Sequence, residues 1–153
     1  MMSGFLLVAP TGSGKSWACK NNHLLKQYAI DGDPLINWNL DWSRTDWTIQ
    51  DRKHIDIVLK KAQSTGKCIC WYVGTTAVAD AINEGRICAN RVIIVLLPED
   101  EHRRYVEKRG KRNHGWSKAL EHRKLCEQLI ANYGVLQFSS FDDAAEHLKN
   151  QKG

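Results

Sequence analysis

The stretch APTGSGKS at positions 9–16 combines residue types that can hold a phosphate group. A loop with few bulky side chains lets successive backbone N–H groups converge on phosphate oxygens. The ammonium group of Lys15 can reach the β- and γ-phosphates of a nucleotide, and the hydroxyl of Ser16 can take one position on Mg²⁺. A helix that begins near Lys15 would add the positive end of its dipole. The stretch therefore predicts a binding site for a nucleoside triphosphate.

The same stretch fits the Walker A pattern G-x-x-x-x-G-K-[ST], except that Ala9 replaces the first glycine. This departure is mild because alanine adds little bulk. An apolar run at positions 5–8 precedes the loop and a segment of helical periodicity follows it, which is the context that the motif requires. The predicted nucleotide-binding residues are Ala9, Thr11, Gly12, Ser13, Gly14, Lys15, Ser16 and Trp17.

Two aspartates follow the second predicted strand, in the stretch DGDPL at positions 31–35. In a parallel sheet this turn can emerge beside the phosphate-binding loop, where one carboxylate can accept the proton of an attacking hydroxyl. We assign the base to Asp33 and a magnesium contact to Asp31 and Ser16, and both aspartates are candidates for substrate binding. The two aspartates could exchange roles, and Asp-Gly and Asp-Pro also favour a simple turn unaided.

Positive charge is concentrated in one segment of the chain. The formal net charge is +5, but residues 103–124 contain nine Lys or Arg and two Glu, so the remainder is slightly acidic. This distribution favours a localised anionic ligand over a general nucleic-acid coat. Guanidinium groups that close on a migrating phosphoryl group stabilise its charge and exclude water. Candidates for that role are Arg104, Arg109, Arg112 and, further along, Arg123, with a lid at about 109–116; the alternative is a solvated helix face.

A polar, tryptophan-rich segment lies between the second strand and the next helix. Three tryptophans, Trp38, Trp42 and Trp47, with Arg44 among hydrogen-bonding side chains, suit a flat heterocycle better than a sugar acid. We assign Trp38, Trp42 and Arg44 to acceptor binding. The alternative is that the tryptophans pack this loop onto the body of the protein.

These candidate residues must be positioned by a regular framework, and the hydrophobic pattern predicts one. Short apolar runs at 4–9, 29–31, 67–73, 91–97 and 135–138 alternate with segments of helical periodicity. This alternation predicts an α/β fold of three layers, in which helices cover both faces of a five-stranded parallel sheet. Without a repeat or a linker, the 153 residues are expected to form one domain, 1–153.

Several local features refine this framework. Thr48, Ser117 and Ser140 are predicted N-caps of the second, third and last long helices. Alternation puts Cys68 and Cys70 on one face of a strand, as small core residues rather than metal ligands. No run of eighteen apolar residues or export signal is present, so we expect no membrane span, reduced thiols and a cytoplasmic location.

The order of strand, phosphate loop, aspartate turn, arginine-bearing helix, basic lid, helix and last strand resembles the small-molecule branch of the P-loop kinases. That branch includes the nucleoside monophosphate, shikimate and gluconate kinases, and the polynucleotide kinases are relatives. The resemblance implies that Asp31 and Asp33 contact the acceptor hydroxyl and magnesium, and that Arg104 and Arg109 are lid-helix arginines with Arg112 in the lid. The third strand ends without the aspartate of a Walker B motif, which argues against a GTPase or a motor.

Taken together, the sequence predicts a magnesium-dependent kinase that transfers phosphate from ATP to a hydroxyl group. The favoured acceptor is a nucleotide or a base in nucleic acid, for example 5-hydroxymethyluracil in bacteriophage DNA, as the chain is similar in size and layout to small phage kinases. The alternatives are a kinase for a sugar acid or another small metabolite, and a module that binds ATP without transferring phosphate. The oligomeric state is left open.

Overall fold

All five predicted strands form and join one sheet. The computed structural model describes residues 4–36, 44–73, 75–109 and 115–151, and for residue 109 the backbone alone. The strands are β1 (Leu6–Ala9), β2 (Ala29–Asp31), β3 (Cys68–Tyr72), β4 (Val92–Val95) and β5 (Leu136–Phe138). Their order is β2-β3-β1-β4-β5 and every pairing is parallel. The predicted parallel sheet is confirmed, although four of its strands are shorter than the apolar runs that predicted them.

Seven α-helices lie in the described part of the chain. They are α1 (Lys15–Asn21), α2 (Leu25–Tyr28), α3 (Trp47–Thr65), α4 (Ala77–Asn83), α5 (Glu99–Arg109), α6 (Trp116–Tyr133) and α7 (Phe141–Asn150). Short 3-10 turns occur at Asp33–Leu35 and Ala89–Arg91. Among these described helices, none combines the length and the apolar character needed to cross a membrane.

The helices cover both faces of the sheet, as the continuous burial of β1 and β4 requires. Leu6 and Val8 of β1 face a core shared with α3, α4 and α6, and Leu7 and Ala9 face a second core shared with α1, α2 and α7. The three-layer arrangement is therefore confirmed. Cys68 and Cys70 lie together in the second core and behave as the small buried residues predicted for them.

Two predicted helix caps are wrong and one is confirmed. The carboxylate of Asp46, rather than Thr48, caps α3 and accepts hydrogen bonds from the N–H groups of Thr48 and Ile49 at 3.1 and 3.3 Å. Helix α6 begins one residue before Ser117, with Gly115 in the cap position. Ser140 does cap α7, since its hydroxyl accepts the N–H of Asp143 at 3.1 Å.

The strand order determines where a ligand can bind. The chain leaves β1 towards β2 on one side, and it leaves β4 towards β5 on the other side. Ligands of open α/β sheets bind beyond the carboxyl ends of the strands at such a switch point. The phosphate-binding loop follows β1 and α5 follows β4, so both border the crevice that this topology creates.

Candidate active site

A cavity of about 1350 Å³ lies beyond the carboxyl ends of the strands. Its floor is the loop of residues 10–16, here called the phosphate loop. One side is formed by side chains from α3, the end of β3 and the start of α6, here called the polar wall: Trp47, Asp51, Tyr72, Thr75, Lys118 and His122. Helix α5 and the start of α7 border the rest of the cavity.

The backbone of the phosphate loop depends on two glycines in the left-handed region. Gly12 has φ 77° and Gly14 has φ 83°, values that residues with a side chain rarely adopt. A Cβ atom on Gly12 would also meet Cγ2 of Val106 in α5 at 2.5 Å. Ser13 fixes the loop from within, because its hydroxyl donates to the carbonyl of Pro10 at 2.6 Å. The loop is therefore shaped by local glycine geometry and by direct packing on α5.

Lys15, Ser16 and Asp33 meet at the floor of the cavity, which all three line. The ammonium group of Lys15 lies 3.0 Å from Oδ2 of Asp33, and the hydroxyl of Ser16 donates to the same oxygen at 3.2 Å. The side chain of Lys15 is 11% exposed and that of Asp33 is 39% exposed. A carboxylate therefore lies at the point where the motif places the β- and γ-phosphates and the metal.

Asp31 lies at the end of β2 and has a different setting. Its Oδ1 accepts the backbone N–H of Asp33 at 3.2 Å, so the side chain orients the turn that carries Asp33. Asp31 is not among the described residues that line the cavity. The geometry thus gives different settings to the two aspartates, whose assigned roles the sequence left open to exchange, and it brings Asp33 to the phosphate loop.

The polar wall contains a carboxylate that the sequence analysis did not assign to the site. Asp51, 3% exposed, accepts hydrogen bonds from the hydroxyl of Tyr72 through one oxygen and from the hydroxyl of Thr75 through the other, the latter at 2.9 Å. Burial raises the pKa of Asp51, while the two hydroxyl donors oppose that rise. Burial, reinforced by the hydrogen bond to Asp51, raises the pKa of the Tyr72 hydroxyl as well.

Lys118 and Trp47 complete the part of the polar wall that could contact a ligand. Lys118, in the first turn of α6, forms an ion pair with Glu121 at 3.3 Å and is about half exposed. Trp47, the first residue of α3, is partly buried. The sequence analysis did not consider Lys118, and it counted Trp47 among the three tryptophans of the segment before α3 without assigning it to the site. The sequence feature that indicates both residues is their position, because each lies in the first turn of a helix that begins beside the carboxyl end of the sheet.

Neither Arg104 nor Arg123, the two predicted lid arginines whose side chains are described, lines the cavity. Helix α5 contributes Glu101, Tyr105 and Lys108 to the cavity, whereas Arg104 is exposed and is not among the described residues that line it. Arg123 is 9% exposed and donates to the carbonyl of Leu97 at 2.7 Å, so it supports the fold.

The remaining predicted residues are placed as follows. The side chain of Arg109, all of Arg112, Trp38 and Trp42, and most of the predicted lid lie outside the described residues. Arg44 is exposed and is not among the described residues that line the cavity.

The cavity is also lined by residues of α1, the chain after β4 and the start of α7. Trp17 is 67% exposed and borders this part of the cavity together with Leu97, Phe141 and the pair Asn22 and Asp142, whose amide and carboxylate lie 2.7 Å apart. Ala9, by contrast, ends β1 with its side chain in the core. An aromatic ring beside the phosphate loop, with polar groups nearby, can accommodate a flat heterocycle.

The chain matches no protein-family model and no curated protein sequence. Among solved structures, it is similar to a gluconokinase from Sinorhizobium meliloti 1021, with 13% identity, 99% of each chain covered and a TM-score of 0.49. It is also similar to an uncharacterized protein from Eubacterium ventriosum ATCC 27560, with 10% identity, 97% of each chain covered and a TM-score of 0.45. At these identities and scores, an assignment of function depends on the residues of the cavity.

Proposed function

We propose that this protein is a kinase that transfers the γ-phosphate of ATP to a hydroxyl group. The observation that carries the proposal is the meeting of Lys15, Ser16 and Asp33 at one point of the phosphate loop. A protein that only binds ATP needs the lysine and the hydroxyl but has no need of a third, acidic side chain there. In a kinase, that carboxylate has a role as the base for the acceptor.

The chemistry follows from these three groups. The proton of the acceptor hydroxyl passes to a carboxylate oxygen of Asp33 as the acceptor oxygen bonds to the γ-phosphorus. The bond between the γ-phosphorus and the oxygen that bridges it to the β-phosphate breaks, and ADP leaves with that oxygen. Lys15 stabilises the negative charge on the phosphates, which replace Asp33 as its partner when the nucleotide binds.

The donors at the phosphate loop suit magnesium, which prefers oxygen ligands and keeps several water molecules. The hydroxyl of Ser16 would hold the ion beside the phosphates, together with phosphate and water oxygens. Asp31, which the sequence favoured for this contact, would act through the turn that it orients. When bound, magnesium would neutralise charge on the β- and γ-phosphates.

The polar wall favours a nucleotide or nucleotide-like acceptor. Trp47 offers a ring for stacking, Lys118 offers a cation for an anionic group, and Asp51 can accept a hydrogen bond from an N–H or O–H donor. A base in DNA, such as 5-hydroxymethyluracil, offers the same groups but would have to be turned out of the duplex to enter.

A sugar acid or another small hydroxylated metabolite is the second candidate acceptor. Lys118 and Asp51 would bind its carboxylate and its hydroxyls respectively, and it would make no use of Trp47. Replacement of Trp47 with leucine therefore separates the two classes, because it should weaken a stacked base and leave a sugar acid almost unaffected.

The test is to incubate the protein and magnesium with ATP labelled at the γ-phosphate and with separate pools of nucleotides, hydroxymethylated DNA and sugar acids. We expect a labelled product from one pool. In Asp33→Asn, transfer should fall about 10²–10⁴-fold while ATP affinity is retained, since the shape stays and the base is removed. Asp31→Asn is the comparison variant, and it should lower transfer less than Asp33→Asn, because Asp31 acts through the turn that it orients. No transfer to any pool by a protein that binds ATP would indicate a binding module, and a larger effect in Asp31→Asn would make Asp31 the base.

A further inference from the structure

Two histidines that the sequence analysis did not assign to the site form hydrogen bonds with the backbone of the phosphate loop. We propose that His102 of α5 and His122 of α6 are positioning residues, which fix the two peptide groups flanking Thr11 so that the loop is shaped for phosphate before a nucleotide arrives. This inference deepens the proposed function, because it concerns the ATP side of the same cavity. The pair is called the Thr11 clamp below.

Both polar backbone atoms of Thr11 are bound by the clamp. The N–H of Thr11 donates to Nδ1 of His122 at 3.0 Å, and the carbonyl of Thr11 lies 2.8 Å from Nε2 of His102. The two histidines are more than 90 positions away in sequence and come from different helices. His102 is fully buried and His122 is 3% exposed, so solvent contributes little to either contact.

The contacts determine the protonation of both rings. Nδ1 of His122 accepts a hydrogen bond, so it carries no proton. Nε2 of His102 faces a carbonyl, so it must donate, and its Nδ1 accepts a hydrogen bond from the guanidinium of Arg123 at 3.2 Å. Both rings are therefore neutral with the proton on Nε2, although they use opposite nitrogens towards Thr11.

The surroundings of His102 stabilise this arrangement. Burial, and more weakly the positive charge of Arg123, lower the pKa of His102, while the carbonyl of Thr11 opposes them. The ring of Trp116 packs edge-on against His102 at 5.2 Å. One helical turn further along α5, Val106 packs against Gly12, so the same face of this helix contacts two consecutive residues of the phosphate loop.

The physical value of the clamp is preorganisation. Backbone N–H groups bind phosphate strongly only if they already point at its oxygens, because reorientation during binding costs free energy. Thr11 lies in a turn between the end of β1 and the glycines, outside the strands of the described sheet. Its two hydrogen bonds connect this point to the rigid helices α5 and α6.

The decisive comparison uses two substitutions whose side chains branch at the same atom, Cγ. His122→Asn keeps an acceptor close to the position of Nδ1, whereas His122→Leu places only methyl groups there. Both lose the ring that stacks on Tyr72 at 6.0 Å, so their difference isolates the bond to Thr11. We expect ATP to bind His122→Leu about three- to tenfold more weakly than His122→Asn, in calorimetric titrations with magnesium and ATP.

Equal ATP affinities of the two variants would overturn the proposal for His122. Both variants lack Nε2, so equal affinities would mean that His122 acts on the ligand through Nε2 and not on Thr11 through Nδ1. The clamp also predicts a kinetic signature. The KM for ATP should rise in His122→Leu relative to His122→Asn, while the KM for the acceptor and kcat stay the same for the two variants.

A measurement on the unmodified protein covers the case in which the variants do not fold. Long-range ¹H–¹⁵N correlation spectra should show both His102 and His122 as neutral rings with the proton on Nε2. A proton on Nδ1 of His122 would overturn the clamp. This measurement needs no nucleotide, so it tests the clamp even if the protein transfers no phosphate. If the tautomers are as expected but the protein does not bind ATP, the proposed function is contradicted and the clamp is not.

Discussion

The phosphate loop comes from one stretch of chain, positions 10–16, whereas the polar wall takes Asp51 from α3, Tyr72 from the end of β3 and Lys118 from α6. In the proposed site, the loop would bind phosphate with backbone N–H groups and with the side chains of Lys15 and Ser16, and its other side chains are small. In the wall, side chains supply the ligand groups and the backbone only sets their position. The loop is therefore recognisable as a motif, and the wall exists only once the helices have packed on the sheet.

If the phosphate loop binds the reacting phosphates and the polar wall only the acceptor, phosphate transfer should fall most when a side chain of the loop is removed. Lys15→Ala should lower phosphate transfer about 10²–10³-fold, because a positive group directed at the developing charge is lost. Lys20→Ala, at the exposed end of the same helix, is the matched control and should be almost neutral. Turnover measured with saturating acceptor checks this. An active Lys15→Ala protein would remove the loop from the mechanism.

Two glycine substitutions test how far the loop depends on its own backbone and how far on α5. Gly14→Ala should lower the free energy of unfolding by about 1–2 kcal/mol, the cost of a side chain at positive φ. Gly12→Ala adds an overlap with the stiff side chain of Val106 and should cost about 2–4 kcal/mol in denaturant unfolding.

The double change Gly12→Ala, Val106→Ala is the control for that overlap. It should cost less than the sum of the two single changes, because the methyl group that the new Cβ meets is no longer there. Additive costs would mean that the contact with α5 does not shape the loop.

The polar wall should respond differently. Lys118→Ala should raise the KM for the acceptor about three- to tenfold and leave the KM for ATP unchanged, because a half-exposed ammonium group contributes a modest interaction. Lys124→Ala, an exposed position on the same helix that is not among the described lining residues, is the control. A change in the KM for ATP alone would place Lys118 on the nucleotide side.

The smallest effect concerns the pH dependence of stability. Since burial raises the pKa of Asp51, the folded protein takes up its proton at a higher pH than the unfolded chain does. The cost of the buried charge is present at neutral pH and disappears as the pH falls through that raised pKa. The unmodified protein should therefore gain stability relative to Asp51→Asn as the solution is acidified from neutrality.

Denaturant unfolding of both proteins at several pH values measures this difference. A constant difference between neutral pH and pH 4 would mean that the pKa of Asp51 is not raised. A loss of relative stability on acidification would mean that its partners lower the pKa instead.

Some features of the fold were accessible from local signals. The apolar runs predicted five strands, and Ser140 was correctly identified as a cap because its hydroxyl and the N–H of Asp143 are three residues apart. The predicted N-cap of α3, Thr48, lies two residues after the observed one, Asp46. Both are good capping residues, and only the path of the chain selects between them.

Residues of the basic segment that look alike in sequence have different positions relative to the cavity. Arg104 and Lys108 lie in the same basic segment and look equivalent by charge, yet Lys108 lines the cavity and Arg104 does not. Among the described side chains of α5, those of Glu101, Tyr105 and Lys108 line the cavity, and which face of the helix lies there depends on how the helix packs.

What the sequence alone determined is the phosphate loop and the layered sheet, because short-range spacing and alternation specify both. What only the tertiary structure decided is the contact of Asp33 with Lys15 and Ser16, the polar wall around Asp51, and the clamp of His102 and His122 on Thr11. Each of these depends on contacts between atoms that the chain brings together only after the helices dock. Hydrogen bonds have a reach of about 3 Å, and no spacing along the sequence encodes that distance between separate helices.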